Sequence, residues 1–262
     1  MAAQQIRFTD GSAYERMMVT WSRLAGDIFL DWLAPKSGVR WIDIGCGNGA
    51  FTQLVCDRCA PAEIHGIDPS QAQLAFARTR PASQIARFQP GDAMALSFPD
   101  NSFDAATMAL VIFFVPDPEK GVAEMIRVTA PGGLVAAYVW DILGGGFPAY
   151  AFQAELAAMG HAPLHPPSVA VSQMEPLRQL WRGADLDAVE TREIEVNRTF
   201  ADFDEFWSIT ETVAPVAPVI AAMTPDDVAT LKRRVKARLS PAPDGSVTCA
   251  GRANAVMGTV PG

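Results

Sequence analysis

The sequence predicts an α/β fold, a mostly parallel sheet with helices on both faces, and three observations carry that expectation. Short apolar runs alternate with segments of helical spacing over residues 39–140. The first of those runs ends in a glycine cluster, Gly45-Cys46-Gly47-Asn48-Gly49, at a strand-to-helix junction. With 262 residues and 49% hydrophobic content, the chain has the material for a full core.

Within residues 1–38, Met17, Met18, Trp21, Leu24, Ile28 and Trp32 recur at helical intervals over Tyr14 to Leu33, and Pro35 to Gly38 end the pattern. Strand, helix and strand come next at Val39–Ile44, Phe51–Cys59 and Glu63–Ile67. The alternation continues as helix over Gln71–Thr79, strand over Ala86–Gln89, a long strand over Phe103–Ile112 and helix over Pro118–Val128. A turn at Pro131–Gly133 leads into a strand over Leu134–Trp140. Residues 141–262 have a different texture. Gly144, Gly145 and Gly146 form a flexible joint, and prolines between Pro163 and Pro167 interrupt the segment after it. Leu186–Thr199 and Val247–Val256 read as the last two strands of the sheet, with helices over Phe203–Leu239 between them as a lid. Residues 1–38, 39–140 and 141–262 are thus a leading helical segment, a binding core and an acceptor and lid region of one domain.

Composition narrows the function. There are 21 basic against 29 acidic side chains, a net charge of −8, which repels polyanions and argues against nucleic acid as a partner. No apolar signal core is visible near Gln4, Gln5, Arg7 and Asp10, and no run reaches the roughly 18 apolar residues of a membrane span. Four cysteines in so apolar a chain suit a reducing cytoplasm. Cys56 and Cys59 form a C-x-x-C with no second pair to complete a metal site, so no metal is expected. A monomer or homodimer is expected.

The glycine cluster suits a nucleotide-like cofactor, yet alone it is ambiguous. Gly45, Gly47 and Ala50 also satisfy the dinucleotide pattern, with Asp68 at the distance of a ribose-binding acid, so an NAD-linked oxidoreductase stays open at this point. Asp43 argues the other way, because a carboxylate two residues before Gly45 repels pyrophosphate but meets a cation well.

The run Trp41-Ile42-Asp43-Ile44-Gly45-Cys46-Gly47-Asn48-Gly49 resembles the first motif of the class I S-adenosylmethionine-dependent methyltransferases. Further matches come in order at Ile67-Asp68-Pro69-Ser70, Gly91-Asp92-Ala93, Phe98-Pro99-Asp100-Asn101-Ser102-Phe103-Asp104 and Arg127-Val128-Thr129-Ala130-Pro131-Gly132-Gly133. By pattern the chain is most similar to small-molecule methyltransferases of the type 11 group, which includes the ubiquinone and menaquinone C-methylating enzymes. The resemblance implies a Rossmann-like, doubly wound sheet of seven strands and S-adenosyl-L-methionine as cofactor. It implies that Asp68, followed by Pro69, accepts the ribose hydroxyls, and that Asp92 accepts from the adenine amino group beside the Ala93 backbone. It also implies that Asp43 meets the methionine ammonium while Gly45, Cys46 and Gly47 pass beneath ribose and tail. Gln73 either reaches the adenosine or is solvated, and Tyr14 either closes over the tail or packs in the core.

Methyl transfer is an in-line displacement, so alignment and exclusion of water matter more than a base, and no catalytic residue is read from the motifs. The strand after Phe103-Asp104 lacks the Asn-Pro-Pro-Tyr of base-amino methylating enzymes and the Pro-Cys of cytosine methylating ones. Phe113 and Phe114 stand where many relatives carry histidines. Phe113, Tyr138 and Trp140, near strand ends, are candidate acceptor walls, and His161 and His165 are candidate bases if their loop folds over the site. The basic run Leu231–Leu239 reads as an amphipathic helix, with Leu231, Val235 and Leu239 buried and its charges in solvent. A methyltransferase acting on a small, apolar or amphipathic acceptor is expected. A protein that binds the cofactor without catalysis is the second reading, and the oxidoreductase is the third.

Overall fold

The computed structural model describes residues 11–213 and 215–262, with side chains from residue 18 onward. A seven-stranded sheet forms the middle layer: β1 Arg40–Ile44, β2 Glu63–Asp68, β3 Ala86–Pro90, β4 Phe103–Ala109, β5 Thr129–Trp140, β6 Asp187–Phe200 and β7 Val247–Thr259. Their order across the sheet is β3-β2-β1-β4-β5-β7-β6. The pairs among β1 to β5 are parallel, and β7 runs antiparallel to both neighbours.

Period-two alternation along each strand divides the core. Trp41, Ala136, Tyr138 and Trp140 face one side, where they pack with α1 (Gly11–Leu33) and α2 (Ala50–Cys59), joined by α3 (Gln71–Ala77). Ile42, Ala106, Val135 and Val139 face the other, beneath α4 (Pro118–Val128) and α6 (Met174–Arg182). The α4 helix shows why the chain folds this way locally. Asp117 caps it by accepting from the Lys120 N–H at 3.1 Å, Pro118 opens it, and Val122, Met125 and Val128 form its buried stripe. Near its end, Arg127 reaches back to the Phe98 and Leu96 carbonyls at 2.7 and 2.9 Å and to Asp100 at 2.9 Å. The Phe98–Asp104 and Arg127 motifs are therefore halves of one loop clamp.

Between β6 and β7 lie α7 (Phe203–Thr210), α8 (Ala217–Ala221) and α9 (Pro225–Arg238). Because Trp140, the last residue of β5, pairs with Ala253, residues 247–252 of β7 project past the carboxyl edge of the parallel strands. The register Phe200↔Val247 carries β6 with them, so α7–α9 sit above that edge as a lid. Phe206 and Trp207 of α7 stack on Phe152 of α5 (Tyr150–Ala158), at ring separations of 5.7 and 4.7 Å.

Three sequence expectations need correction. The long strand over Phe103–Ile112 stops at Ala109, because Leu110 turns to a left-handed φ of 64° and Ile112–Phe114 form a 3₁₀ turn. The stretch after the glycine joint contains helices α5 and α6. The first is hidden by a sequence whose apolar residues mark no single face, and the second by its shortness and an early proline. At the C-cap of α9, Leu239 is half-buried rather than buried, and two of the helix's exposed charges, Arg234 and Arg238, clasp Glu155 of α5, whose side chain is 8% exposed.

Candidate functional site

The carboxyl ends of the parallel strands meet at the switch point between β1 and β4, where the connections run to opposite faces and open α/β sheets bind ligands. The loop after β1 is stitched to the end of β2. The Gly45 and Cys46 N–H groups donate to the Ile67 carbonyl at 2.7 and 2.9 Å, and the Gly47 N–H donates to Asp68 Oδ2 at 2.9 Å. The other Asp68 oxygen accepts from the Ser70 N–H at 2.8 Å, at the start of α3. Gly45 has φ 74°, and a Cβ there would fall inside the Val111 side chain. At Gly47, φ 52°, a Cβ would meet nothing within 4 Å, so this stretch of backbone borders open space.

Asp43 is fully buried on β1, with its side chain toward α2. The Thr52 hydroxyl donates to its Oδ2 at 2.6 Å, while Oδ1 has no partner. Burial pushes this carboxyl up to about 7, with the Asp68 charge adding to the rise and the Thr52 bond opposing it. Burial also raises the Asp68 carboxyl, against the pull of the Ser70 and Gly47 donors. The Cys46 thiol is held well above its ordinary range by burial and by Asp43 and Asp68, so it stays protonated.

The other predicted residues fall around the same rim. The Gly91 N–H donates to the Asp68 carbonyl at 3.3 Å, which brings the exposed Asp92 and its neighbour Ala93 alongside β2. Asp92 Oδ1 accepts from the Met94 N–H at 2.9 Å. Pro69 is exposed at the turn into α3. Gln73 is buried rather than solvated, and its Oε1 lacks a partner. Tyr14 lies outside the described side chains.

Beside this rim is a cavity with about 520 Å3 of empty space, its open mouth included. Its floor comes from Leu110, Phe113 and Phe114 after β4 and from Trp140 and Ile142 at the end of β5. Phe147, Gln153, Leu164, Pro166 and Val213 roof it from the lid side. Leu110 lines the cavity while the next residue, Val111, covers Gly45, so the two spaces adjoin. The left-handed φ of Leu110 costs about 1–3 kcal/mol and sits at this junction.

Phe113 and Trp140 are thus in the cavity wall, and Tyr138 is not. Two residues before Trp140 on the same face, Tyr138 lies deeper under α1, between Phe29 and Phe51 at 4.7 and 6.0 Å, with its hydroxyl 3.3 Å from the Ser22 carbonyl. Neither His161 nor His165 lines the cavity: His165 is exposed between Leu164 and Pro166, which do. Gln153, Met18 and Leu110 belong to the wall without having been read from the sequence. Gln153 lies after the Gly144–Gly146 joint in a stretch assigned no element from the sequence, and nothing about a leucine signals a left-handed backbone. Among the described residues no group of three or more side chains is arranged to hold a metal, and no helix is long and apolar enough to cross a membrane.

Comparison with known proteins matches residues 42–137 to the family described as "Methyltransferase domain". A demethylmenaquinone methyltransferase of Thermus thermophilus is 39% identical over 115 residues, 43% of this chain and 50% of the relative. The chain spans about half the length, or slightly less, of the curated relatives it matches. Among solved structures, a protein from Anabaena variabilis assigned as a methyltransferase of an antibiotic biosynthesis pathway superposes with a TM-score of 0.64 at 16% identity, covering 91% of this chain and 99% of that one. The [4+2]-cyclase SpnF superposes at 0.55 and 23% identity, over 100% of this chain and 89% of its own. Both share the fold.

Proposed function

From the match of residues 42–137 to the methyltransferase domain family, we propose that the chain binds S-adenosyl-L-methionine at the β1–β3 rim and methylates a small, apolar or amphipathic acceptor in the adjoining cavity. One observation carries the reading: Asp43 is fully buried beside the glycine loop with Oδ1 unpaired. A buried carboxylate in that state is costly unless a cation or donor completes it, and the ammonium of a methionine tail does so. A pyrophosphate would meet repulsion at the same spot.

The residues present fit the cofactor. Asp68 has lone pairs left after its two backbone bonds, enough to accept a ribose diol. Asp92 is exposed on the rim to accept an amino group, and Gly47 leaves room for the ribose and tail. When bound, S-adenosylmethionine supplies a methyl carbon already activated by its sulfonium. The protein then has to hold a nucleophile in line and keep water away, which an apolar cavity adjoining Gly45 through Leu110 and Val111 is built to do. A quinone-like ring is one acceptor class such a cavity admits, in keeping with the names of the curated relatives. A cytoplasmic location is part of this reading.

SpnF, named as a cyclase, shares the fold, so the fold alone does not dictate methyl transfer. The test is release of S-adenosylhomocysteine over a panel of hydroquinones, phenols and apolar amines. Turnover on at least one class is expected. Tight binding of S-adenosylmethionine with no turnover on any acceptor favours the second reading, cofactor binding without methylation.

A further inference from the structure

We propose that Trp140 and Gln153 form a hydrogen-bonding pair that selects acceptors carrying one neutral oxygen, a hydroxyl or carbonyl, on an otherwise apolar body. The inference rests on the cavity being the acceptor site. Trp140 is 2% exposed and lines the cavity, and its indole N–H is buried with no partner. An indole N–H is a donor only, so what it lacks is an acceptor atom. Gln153 projects from α5 on the roof and brings the one amide among the described lining residues. Its amide both donates and accepts, so it can answer a carbonyl or take the proton of a hydroxyl.

The remaining walls decide what else enters. Leu110, Phe113, Ile142, Phe147 and Val213 offer only carbon, and no charged side chain is among the described residues lining the space. A carboxylate, phosphate or ammonium would be stripped of water there with no counter-charge. A plain hydrocarbon would leave the Trp140 N–H unanswered, as it is in the empty cavity. A neutral acceptor atom satisfies both conditions, and a hydroxyl or carbonyl oxygen also exchanges hydrogen bonds with the Gln153 amide without needing a counter-ion.

Three probes of one shape separate these cases: 1-naphthol, naphthalene and 1-naphthoate, titrated into the full chain at neutral pH with and without S-adenosylhomocysteine. The indole N–H resonances of ¹⁵N-labelled protein report the contact, and loss of one peak in Trp140→Phe assigns it. The expected result is that 1-naphthol binds about tenfold tighter than naphthalene, the worth of one such hydrogen bond, and tighter than 1-naphthoate. It is also expected to shift the Trp140 peak where naphthalene does not. Trp140→Phe and Gln153→Leu are both expected to bring naphthol and naphthalene close to parity while S-adenosylhomocysteine binds as in wild type. If Trp140→Phe fails to fold, Gln153→Leu and the wild-type peak shift decide. Equal binding of naphthol and naphthalene, tighter binding of 1-naphthoate, no binding of any probe, or discrimination that survives both substitutions would overturn the proposal. Failure of S-adenosylhomocysteine to bind wild type, with naphthol selectivity intact, would instead count against the methyltransferase reading alone.

Discussion

Asp43 is the residue on which stability and function pull in opposite directions. Its carboxyl titrates at about 7 in the folded chain against an ordinary 3.8. A raised folded value means that the folded state holds the proton more tightly, so the stability this gives is complete below about pH 4 and is lost as pH rises through about 7. Asp43→Asn keeps an oxygen for Thr52 and removes the buried charge. It is expected to raise the thermal midpoint of the ligand-free protein by several degrees at about pH 8, by a smaller amount at about pH 5, and to leave it little changed below about pH 4. The same variant is expected to lose at least tenfold in S-adenosylhomocysteine affinity, because an amide replaces a charge-assisted contact; calorimetry checks this. On the proposed function Asp68 has two tasks, since its oxygens already accept from Gly47 and Ser70. Asp68→Ala is expected to abolish cofactor binding and also to cost about 1–3 kcal/mol by leaving two backbone donors unpaired. A denaturant melt would show the second effect, and unchanged cofactor affinity would refute the first role. The predicted rim residues were legible because carboxylates and glycines at strand ends are specified by residue type. The partnerless Asp43 oxygen, the strained Leu110 and the cavity-lining Gln153 were not, since each depends on what the rest of the chain places around it.

At the scale of elements, the lid is held by a small number of identifiable contacts. Glu155 joins α5 to α9 through Arg234 and Arg238, whose hydrogen bonds hold its carboxyl below the ordinary range. A depressed carboxylate lends stability above its unfolded value and loses it as pH falls through the folded one, so this tie weakens in acid. Glu155→Gln is expected to raise amide exchange several-fold over residues 217–239 while the β1–β5 sheet stays protected, as hydrogen-exchange mass spectrometry would register. The aromatic stack is the larger contribution. Trp207→Ala is expected to destabilise the lid by about 3–5 kcal/mol, with loss of acceptor binding before loss of cofactor binding. The sequence set out the sheet elements well, because alternating burial and glycine punctuation leave local marks. It missed α5, whose apolar residues mark no single face, and it missed the contact of the α9 arginines with Glu155 because that residue lies 79 and 83 positions earlier.

Across the whole molecule, the recognisable motifs lie almost entirely within the matched residues 42–137, and the cavity beside them is completed by segments outside that region. The Thermus relative aligns over 43% of this chain, so on the proposed function the acceptor is set by cavity residues that lie mostly outside the matched region. The central claim is that the β1–β3 rim takes the ammonium end of a methionine tail rather than a pyrophosphate. Calorimetric titration with S-adenosylhomocysteine and with NADH, from about pH 5 to about pH 8, tests it directly. An ammonium beside Asp43 favours its ionised form, so binding should release a proton below about pH 7. The expected result is S-adenosylhomocysteine binding that tightens as pH rises to about 7 and then levels off, a slope that disappears in Asp43→Asn, and no binding of NADH. Binding of NADH without S-adenosylhomocysteine, or S-adenosylhomocysteine affinity that ignores both pH and the Asp43 substitution, would contradict it.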